Sequence, residues 1–495
     1  MLRMLLVLAA IASATLFTTA TSSSAVADDS PPNVVIIFTD DQGYGDIGCF
    51  GAEGYRTPHL DRMADEGRRF TSFYSAAPAC SGSRVSLLTG SYYARLKFPT
   101  VLFPHHKVGL AENELTIAEL AKQKGYATAC IGKWHVGHHE KFLPTQHGFD
   151  SYFGVPYSND MTIDPNARLA ADIKLRNGLK RNEVRDAKPR TDWVPLMRDN
   201  EIVEYPADQS TLTRRYTEEA VKFIDENAEQ PFLLYLPHTM PHTPLFTTPD
   251  FTLVATTRYG DVIEEIDWSV GQILAALEKN GVDKNTLVVF TTDNGPWLAF
   301  GNHAGNAGPL REGKGTTFEG GMRVPCIMRW PARIPAGSEC DKTAGTIDLL
   351  PTMAELIDGD LPEHPIDGKS IVKLMTGGLD EPSPHEYYCY YQGPHLQAIR
   401  SGDWKLHFRH SYHTIVKPGH DGNHGHAKNL IIEMSLFNLK DDIGETTNVA
   451  DKYPHIVARL RGLAARARAD IGDSATKQEG ENSRRPDGVN EGTGG

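Results

Sequence analysis

The sequence predicts an α/β protein built on a mostly parallel sheet, followed by a smaller α+β subdomain and a polar tail. Three observations carry that expectation. From about residue 32 to about 360, short apolar, β-branched runs alternate with amphipathic helical patterns, as in a parallel sheet covered by helices on both faces. After about residue 384 the pattern changes to short strands closed by a turn at Ser401-Gly402-Asp403. From Gly472 onward apolar residues almost vanish, which is the composition of a disordered tail.

Residues 1–27 stand outside the fold. Arg3 is a short positive n-region, Met4 to Phe17 is a mostly apolar run, and Ala25-Val26-Ala27 is a small-residue cleavage site. Together they read as a signal peptide, so the chain is expected to be secreted or periplasmic. The run is short for a membrane span of about 20 residues, and no later segment is long and apolar enough, so no membrane anchor is expected.

Residues 28–384 form the larger part. Its expected buried strands are Val34 to Phe38, Tyr126 to Ile131, Phe232 to Leu236, Leu287 to Thr291 and Pro325 to Trp330. Helical patterns cover Pro58 to Glu66, Leu115 to Lys124, Thr217 to Asn227 and Asp261 to Lys279. The last places Val262, Ile266, Val270, Ile273, Leu274 and Leu277 on one face. Residues 385–471 make the α+β subdomain, with strands at Tyr387 to Tyr391, Leu396 to Arg400 and Trp404 to Phe408, and a closing helix from Tyr453 to Ile471. Residues 472–495 are the tail.

Composition narrows the function. With 40% hydrophobic and 23% charged residues, a chain of 495 can build a core without disulfide staples. A formal net charge of −13 argues against nucleic acid or an anionic membrane as partner. It leaves room for a small anion held by a local cluster of cations. The six cysteines show neither zinc-type pairing nor the density of a disulfide scaffold.

Each unusual polar cluster directly follows a predicted strand. Asp40 and Asp41 follow the first, Lys133 and His135 the second, His238 and His242 the third, and Asp293 and Asn294 the fourth. Ligands in open α/β sheets sit beyond the carboxyl ends of the strands, so these clusters can share one crevice. Asp40, Asp41 and Asp293, with the amide oxygen of Asn294, offer all-oxygen ligands, suited to Ca²⁺ or Mg²⁺ rather than zinc. The same dipeptides also cap helices and make turns. Cys80 opens a helical pattern with Arg84 one turn further on; most such cysteines are simply buried.

Read together, the segments resemble the formylglycine-dependent sulfatases, closest to the arylsulfatase A and N-acetylgalactosamine-6-sulfatase branch. The resemblance rests on Cys80-Ser81-Gly82-Ser83-Arg84 with the following Leu87-Leu88-Thr89-Gly90, and on Thr39-Asp40-Asp41-Gln42-Gly43-Tyr44-Gly45-Asp46. It extends through Gly132-Lys133-Trp134-His135-Val136-Gly137, Thr292-Asp293-Asn294-Gly295, and Gly313-Lys314-Gly315-Thr316-Thr317-Phe318-Glu319-Gly320-Gly321. It implies an alkaline-phosphatase-like sandwich around a large mixed, mostly parallel sheet.

It also implies a sulfuric ester hydrolase in which a formylglycine-generating enzyme converts Cys80 to an aldehyde whose hydrate attacks sulfur. By resemblance, Asp40, Asp41, Asp293, Asn294 and modified residue 80 hold Ca²⁺, or Mg²⁺. Arg84 supports the diol and His135 takes a proton at elimination. Lys133, His242 and Lys314 grip the sulfate, with His242 or Lys314 protonating the leaving oxygen. His410 or His413 would approach the sulfated sugar or aryl group. His238 is expected to be a bystander, and most of the histidines between His407 and His426 are expected on a solvated loop. The chain departs from the family at Gly82, where Pro or Ala is usual and where the modifying enzyme reads its substrate. The competing readings are a phosphodiesterase or phosphonate monoester hydrolase of the same superfamily, and a non-catalytic sulfated-glycan binder with unmodified Cys80.

Overall fold

Asn33–Thr39 is buried along its whole length, and its side chains divide between two cores. Val34, Ile36 and Phe38 join one cluster, while Val35 and Ile37 join the other. Alternate side chains of a strand point to opposite faces, so both faces of this sheet are covered. Each fully buried Val, Ile or Phe contributes roughly 1.5–3 kcal/mol before the cost of ordering. This computed structural model describes residues 30–184 and 193–489; the proposed signal peptide at 1–27 lies outside them.

Among the described residues the main sheet has twelve strands. From one edge to the other the order is Ser338–Cys340, Arg68–Tyr74, Arg323–Arg329, Thr286–Thr292, Asn33–Thr39, Phe232–Pro237, Ala127–Ile131, Ser151–Gly154, Leu196–Arg198, Glu201–Tyr205 and Leu169–Leu175, with Ala344–Gly345 also pairing Arg68–Tyr74. The five strands from Thr286–Thr292 to Ser151–Gly154 are mutually parallel. Their register aligns Thr39 with Thr292 and Phe38 with Pro237, so the residues that follow emerge along one rim.

Two strands on the other side of Thr286–Thr292 complete that rim. Arg323–Arg329 runs antiparallel to it, which turns the start of Arg323–Arg329 toward the same edge. The loop before Arg323 therefore lies where the parallel strands end. Arg68–Tyr74 is antiparallel in turn, with Tyr74 opposite Arg323, so the chain leaving Tyr74 also emerges there. That chain leads directly into the helix Cys80–Thr89, all ten residues of which are buried.

The helices follow the expected logic. Arg258–Lys279 is capped by the Thr257 hydroxyl, which accepts from the Gly260 amide at 3.0 Å, and buries all six of the apolar residues named above. Ile117–Gln123 opens with a reciprocal cap between Thr116 and Glu119. The C-terminal sheet has the order Tyr388–Gln392, His395–Ser401, Trp404–His407 and Ser435–Asn438, backed by the helix Pro454–Asp470. The residues from Pro31 onward form one compact unit that includes this sheet. The six cysteines, all described, form no disulfide.

A buried ionic cluster joins the C-terminal sheet to the rim. Lys405 Nζ donates to Glu319 Oε1 at 2.9 Å and lies 3.0 Å from Glu445 Oε1. His407 Nε2 lies 2.7 Å from Glu445 Oε1, and the Glu319 amide donates to Glu445 Oε2 at 2.7 Å. All four side chains are fully buried. Removing the ammonium takes the shared cation from two buried carboxylates, leaving Glu319 with Arg323 at 3.4 Å and Glu445 with His407. Lys405→Met is expected to destabilise the protein by about 3–5 kcal/mol, read from denaturant unfolding followed by circular dichroism.

The tail departs from expectation. Residues 472–489 are ordered rather than disordered, and only 490–495 lie outside the described residues. Arg484 bonds Glu114 at 2.5 and 3.0 Å and the Pro365 carbonyl at 2.9 Å. Asp487–Gly488 pairs antiparallel with Val108–Gly109. The segment buries little apolar surface; it is held by charge-assisted bonds to carboxylates that are themselves largely buried, a source of order that composition does not register.

Candidate active site

Four rim segments bring their polar side chains together. Cys80 Sγ lies 3.5 Å from Asp40 Oδ1. Asp40, Asp41, Cys80 and His242 each place a ligand-capable atom within 4.8 Å of the others. Arg84, one helical turn beyond Cys80, donates from Nε and Nη2 to Asp293 Oδ2 at 3.2 and 2.8 Å and from Nη1 to the Lys133 carbonyl at 2.8 Å. The Asp41 amide donates to Asp293 Oδ1 at 3.1 Å, and Asn294 Nδ2 donates to Asp41 Oδ1 at 2.7 Å.

The cations enclose this group. Lys133 Nζ bonds Asp40 Oδ2, and it lies 3.3 Å from the Ser158 hydroxyl. Lys314 Nζ donates to Asp41 Oδ2 at 2.8 Å and sits 4.3 Å from the centre of the Trp297 ring. His242 Nε2 lies 3.6 Å from Asp41 Oδ2, and its Nδ1 faces Asn159 Oδ1 at 3.0 Å. His135 Nε2 is 2.8 Å from the Leu102 carbonyl and its buried Nδ1 has no partner.

Local backbone explains several of these placements. Asp41 and His135 adopt φ of 65° and 61°, a left-handed conformation that non-glycine residues hold only when their surroundings enforce it. Gly132, with φ of 133°, passes so close to the next strand that a Cβ would stand 1.9 Å from the Pro237 carbonyl oxygen. At Gly82 a Cβ would meet Ala77 and the Tyr93 ring at 3.0 Å. The departure from Pro or Ala at that position therefore accompanies a close-packed Tyr93.

Burial and charge set the protonation states. Burial would raise Asp40, but Lys133, His242, Arg84 and Lys314 hold it well below the ordinary carboxylate range. Burial and the Asp40 charge raise Asp293. Burial pushes the Cys80 thiol far above its usual range, so the unmodified side chain is a poor nucleophile. Burial, reinforced by Lys133, keeps His135 neutral; burial and Lys314 lower His242.

Asp40, Asp41, Cys80, Arg84, Lys133, His135, His242, Asp293, Asn294 and Lys314 are thus all rim residues, within one network of contacts and fields. His238 stands apart, its Nε2 3.3 Å from Ser269 Oγ on the long helix. The histidine-rich stretch differs from a solvated loop. His410–Lys417 and His426–Ile432 form an antiparallel hairpin, with His407 and His410 buried and His413, His420, His424 and His426 exposed. His413 lines a cavity of about 350 Å³ together with Lys314, Trp297, Glu312 and His424. His410 does not: its Nδ1 lies 2.8 Å from the Phe408 carbonyl and its ring packs against His407. Period-2 alternation turns His413 outward and His410 inward, which withdraws His410 from the substrate-facing position expected for it.

Sequence reasoning missed Ser158 and Asn159, which hold Lys133 and His242. They follow Ser151–Gly154, the fifth parallel strand, and the strand-end rule would reach them once that strand is recognised. Trp297, beside Lys314, was missed as well.

Burial also makes a stability prediction. Buried His147 and His238 are each pushed down to about 4 from an ordinary 6.5. The folded state then resists protons that the unfolded chain accepts, so stability is full above pH 6.5 and falls through pH 4. By pH 4 each histidine costs about 3 kcal/mol. His238→Gln is expected to flatten that decline in unfolding curves measured between those pH values.

An acidic pocket ringed by lysine, arginine and histidine at the carboxyl rim of a parallel sheet defines a hydrolase of anionic esters. Residues 32–359 match the sulfatase family, and residues 383–489 match the C-terminal region of aryl-sulfatase. The chain is 38% identical over 394 residues to N-acetylgalactosamine-6-sulfatase of Canis lupus familiaris, covering 75% of this chain and 70% of that protein. It is 36% identical over 473 residues to arylsulfatase G of Mus musculus, covering 88% and 87%. Among solved structures, the PsFucS1 sulfatase from Pseudoalteromonas sp. superposes with a TM-score of 0.75 at 28% identity, covering 89% of this chain and 90% of that one. The chain belongs to the sulfatase family and is a sulfuric ester hydrolase. Among the described residues no helix is long and apolar enough to cross a membrane.

Proposed function

We propose that the chain is an exported enzyme that hydrolyses sulfate esters on carbohydrate, using a divalent cation and a formylglycine made from Cys80 by a separate maturing enzyme. The observation that carries this is the meeting of Cys80, three buried carboxylates and two lysines at one rim. The name of N-acetylgalactosamine-6-sulfatase supports a sulfated sugar as substrate.

The donor set fits a hard cation. Asp40, Asp41 and Asp293 are buried together, and Asn294 Oδ1 is buried without a partner. Those four residues and modified residue 80 would hold Ca²⁺, with Mg²⁺ the alternative. When bound, the ion neutralises the carboxylates and polarises an oxygen of residue 80. The hydrate of formylglycine supplies two hydroxyls on one carbon, one to accept the sulfuryl group and one to expel it.

The remaining side chains do the positioning and the proton work. Arg84, fixed by Asp293, supports the diol. Lys133, Lys314 and His242 grip the sulfate oxygens, where fixed donors in a water-poor cleft stabilise developing charge most strongly. Neutral His135 accepts the proton lost at elimination, and His242 or Lys314 delivers one to the leaving oxygen. His413, on the wall of the cavity beside Lys314, would contact the sugar.

Two measurements test this. Sulfate release is assayed across sulfated galactose, galactosamine and polysaccharide substrates, with phosphate monoesters, phosphodiesters and phosphonates as controls. Turnover of a sulfated sugar above all controls is expected; preference for a phosphorus ester would replace the reading. Removing divalent ions with a chelator is expected to abolish most turnover, and Ca²⁺ to restore it. Ca²⁺ at a hundred times its dissociation constant would also stabilise the fold by about 2.7 kcal/mol.

A further inference from the structure

A second group of potential ligands lies outside the catalytic rim. His138 and His139 follow the segment that carries Lys133 and His135, and Asp164 reaches them from the loop beyond Ser158 and Asn159. The ligand-capable atoms of all three lie within 4.8 Å of one another. His138 Nε2 is 3.0 Å from Asp164 Oδ2, and the two imidazole rings are 4.4 Å apart. All three line a cavity of about 380 Å³.

The surroundings fix the donors. Asp164 is anchored at both ends: its amide donates to the Tyr157 hydroxyl at 3.0 Å, and its Oδ1 accepts from the Asn166 amide at 2.8 Å. That leaves Oδ2 directed at His138. Tyr157 also packs edge-on against the His138 ring at 5.5 Å.

We propose that His138, His139 and Asp164 form a binding site for a divalent transition metal, with zinc as the ion that suits it best. Two imidazoles and one carboxylate make a three-ligand set that zinc completes with water. Nitrogen donors separate this site chemically from the all-oxygen set around Asp40, which favours calcium or magnesium. The Nε2–Oδ2 separation of 3.0 Å is that of a hydrogen bond, and it would open by about 0.3–0.4 Å to become the edge, roughly 3.3–3.4 Å, of a tetrahedron built on bonds of about 2.0–2.1 Å.

Occupancy would join two loops that both serve catalysis. One carries Lys133 and His135. The other carries Ser158, whose hydroxyl lies 3.3 Å from both Lys133 Nζ and His242 Nε2, and Asn159, which faces His242 Nδ1. The ion would tie these loops together without touching the reacting groups.

The test uses untagged full-length protein carrying Cys80→Ala, stripped of metal and loaded with calcium, so that zinc uptake at the catalytic rim is suppressed. Zinc is titrated calorimetrically, and retained zinc is counted by elemental analysis after desalting. One equivalent is expected to bind and to raise the midpoint of thermal unfolding. His139→Ala and Asp164→Asn should each weaken that binding at least tenfold and remove the thermal shift, while melting like the parent without zinc. Absence of uptake would overturn the site. So would uptake unchanged by both substitutions, or uptake lost only when the exposed His413, His420, His424 and His426 are replaced together.

Discussion

Cys80→Ala is expected to lower sulfate-ester turnover by about 10⁴ or more, since it removes the proposed nucleophile. The loss is chemical rather than structural. Cys80 sits at the first position of a helix whose other residues keep their packing, and alanine removes one sulfur atom from a polar pocket. Cys80→Ser separates the two halves of the mechanism. A serine hydroxyl can accept a sulfuryl group but carries no second hydroxyl to expel it, so at most a single burst of product is expected, followed by arrest. Pre-steady-state measurement of alcohol release against sulfate release distinguishes the two variants. Steady turnover of both products by Cys80→Ser would show that residue 80 needs no aldehyde.

Lys314→Ala is expected to lower kcat by about 10²–10³, the usual effect of removing one fixed donor from developing oxyanion charge. Lys314 has the geometry for this. Its ammonium donates to Asp41 at 2.8 Å, lies over Trp297, and borders a cavity that the outer face of the C-terminal hairpin also lines. The loop that carries it is held from below by Glu319, Glu445 and Lys405, none of which the substitution touches. Thermal unfolding should therefore stay close to the parent while turnover collapses. Unchanged turnover would remove Lys314 from the site. A large loss of stability would assign it to the fold.

Much of this site was legible because of how a parallel sheet is built. Buried on both faces, strands such as Asn33–Thr39 and Thr286–Thr292 read as unbroken apolar runs, so the carboxylates that follow them stand out. Lys314 is placed for a different reason. It precedes Arg323–Arg329, and only the antiparallel direction of that strand brings it to the rim; neither periodicity nor composition reports direction. Ser158 and Asn159 escaped notice because Ser151–Gly154 is four residues long and gives almost no pattern.

Long-range ionic contacts were the least legible. Arg484 finds Glu114, and Arg95 finds Asp367 and Asp470, across hundreds of residues. The Arg484 pair, with Arg95 donating to the Asn482 carbonyl at 3.4 Å, holds the segment 472–489, which its lack of apolar residues had marked for disorder. His410 shows the reverse case: a polar residue in a polar-looking stretch, buried because the hairpin turns alternate side chains inward.

The chemistry of residue 80 is open to direct observation. Trypsin releases it in the peptide from Phe70 to Arg84, and mass spectrometry reads that peptide in active protein made by a host with the maturing enzyme. The expected species has lost sulfur and two hydrogens and gained one oxygen, the change from thiol to aldehyde. Peptide carrying only the intact thiol, from protein that still turns over a sulfate ester, would contradict the mechanism.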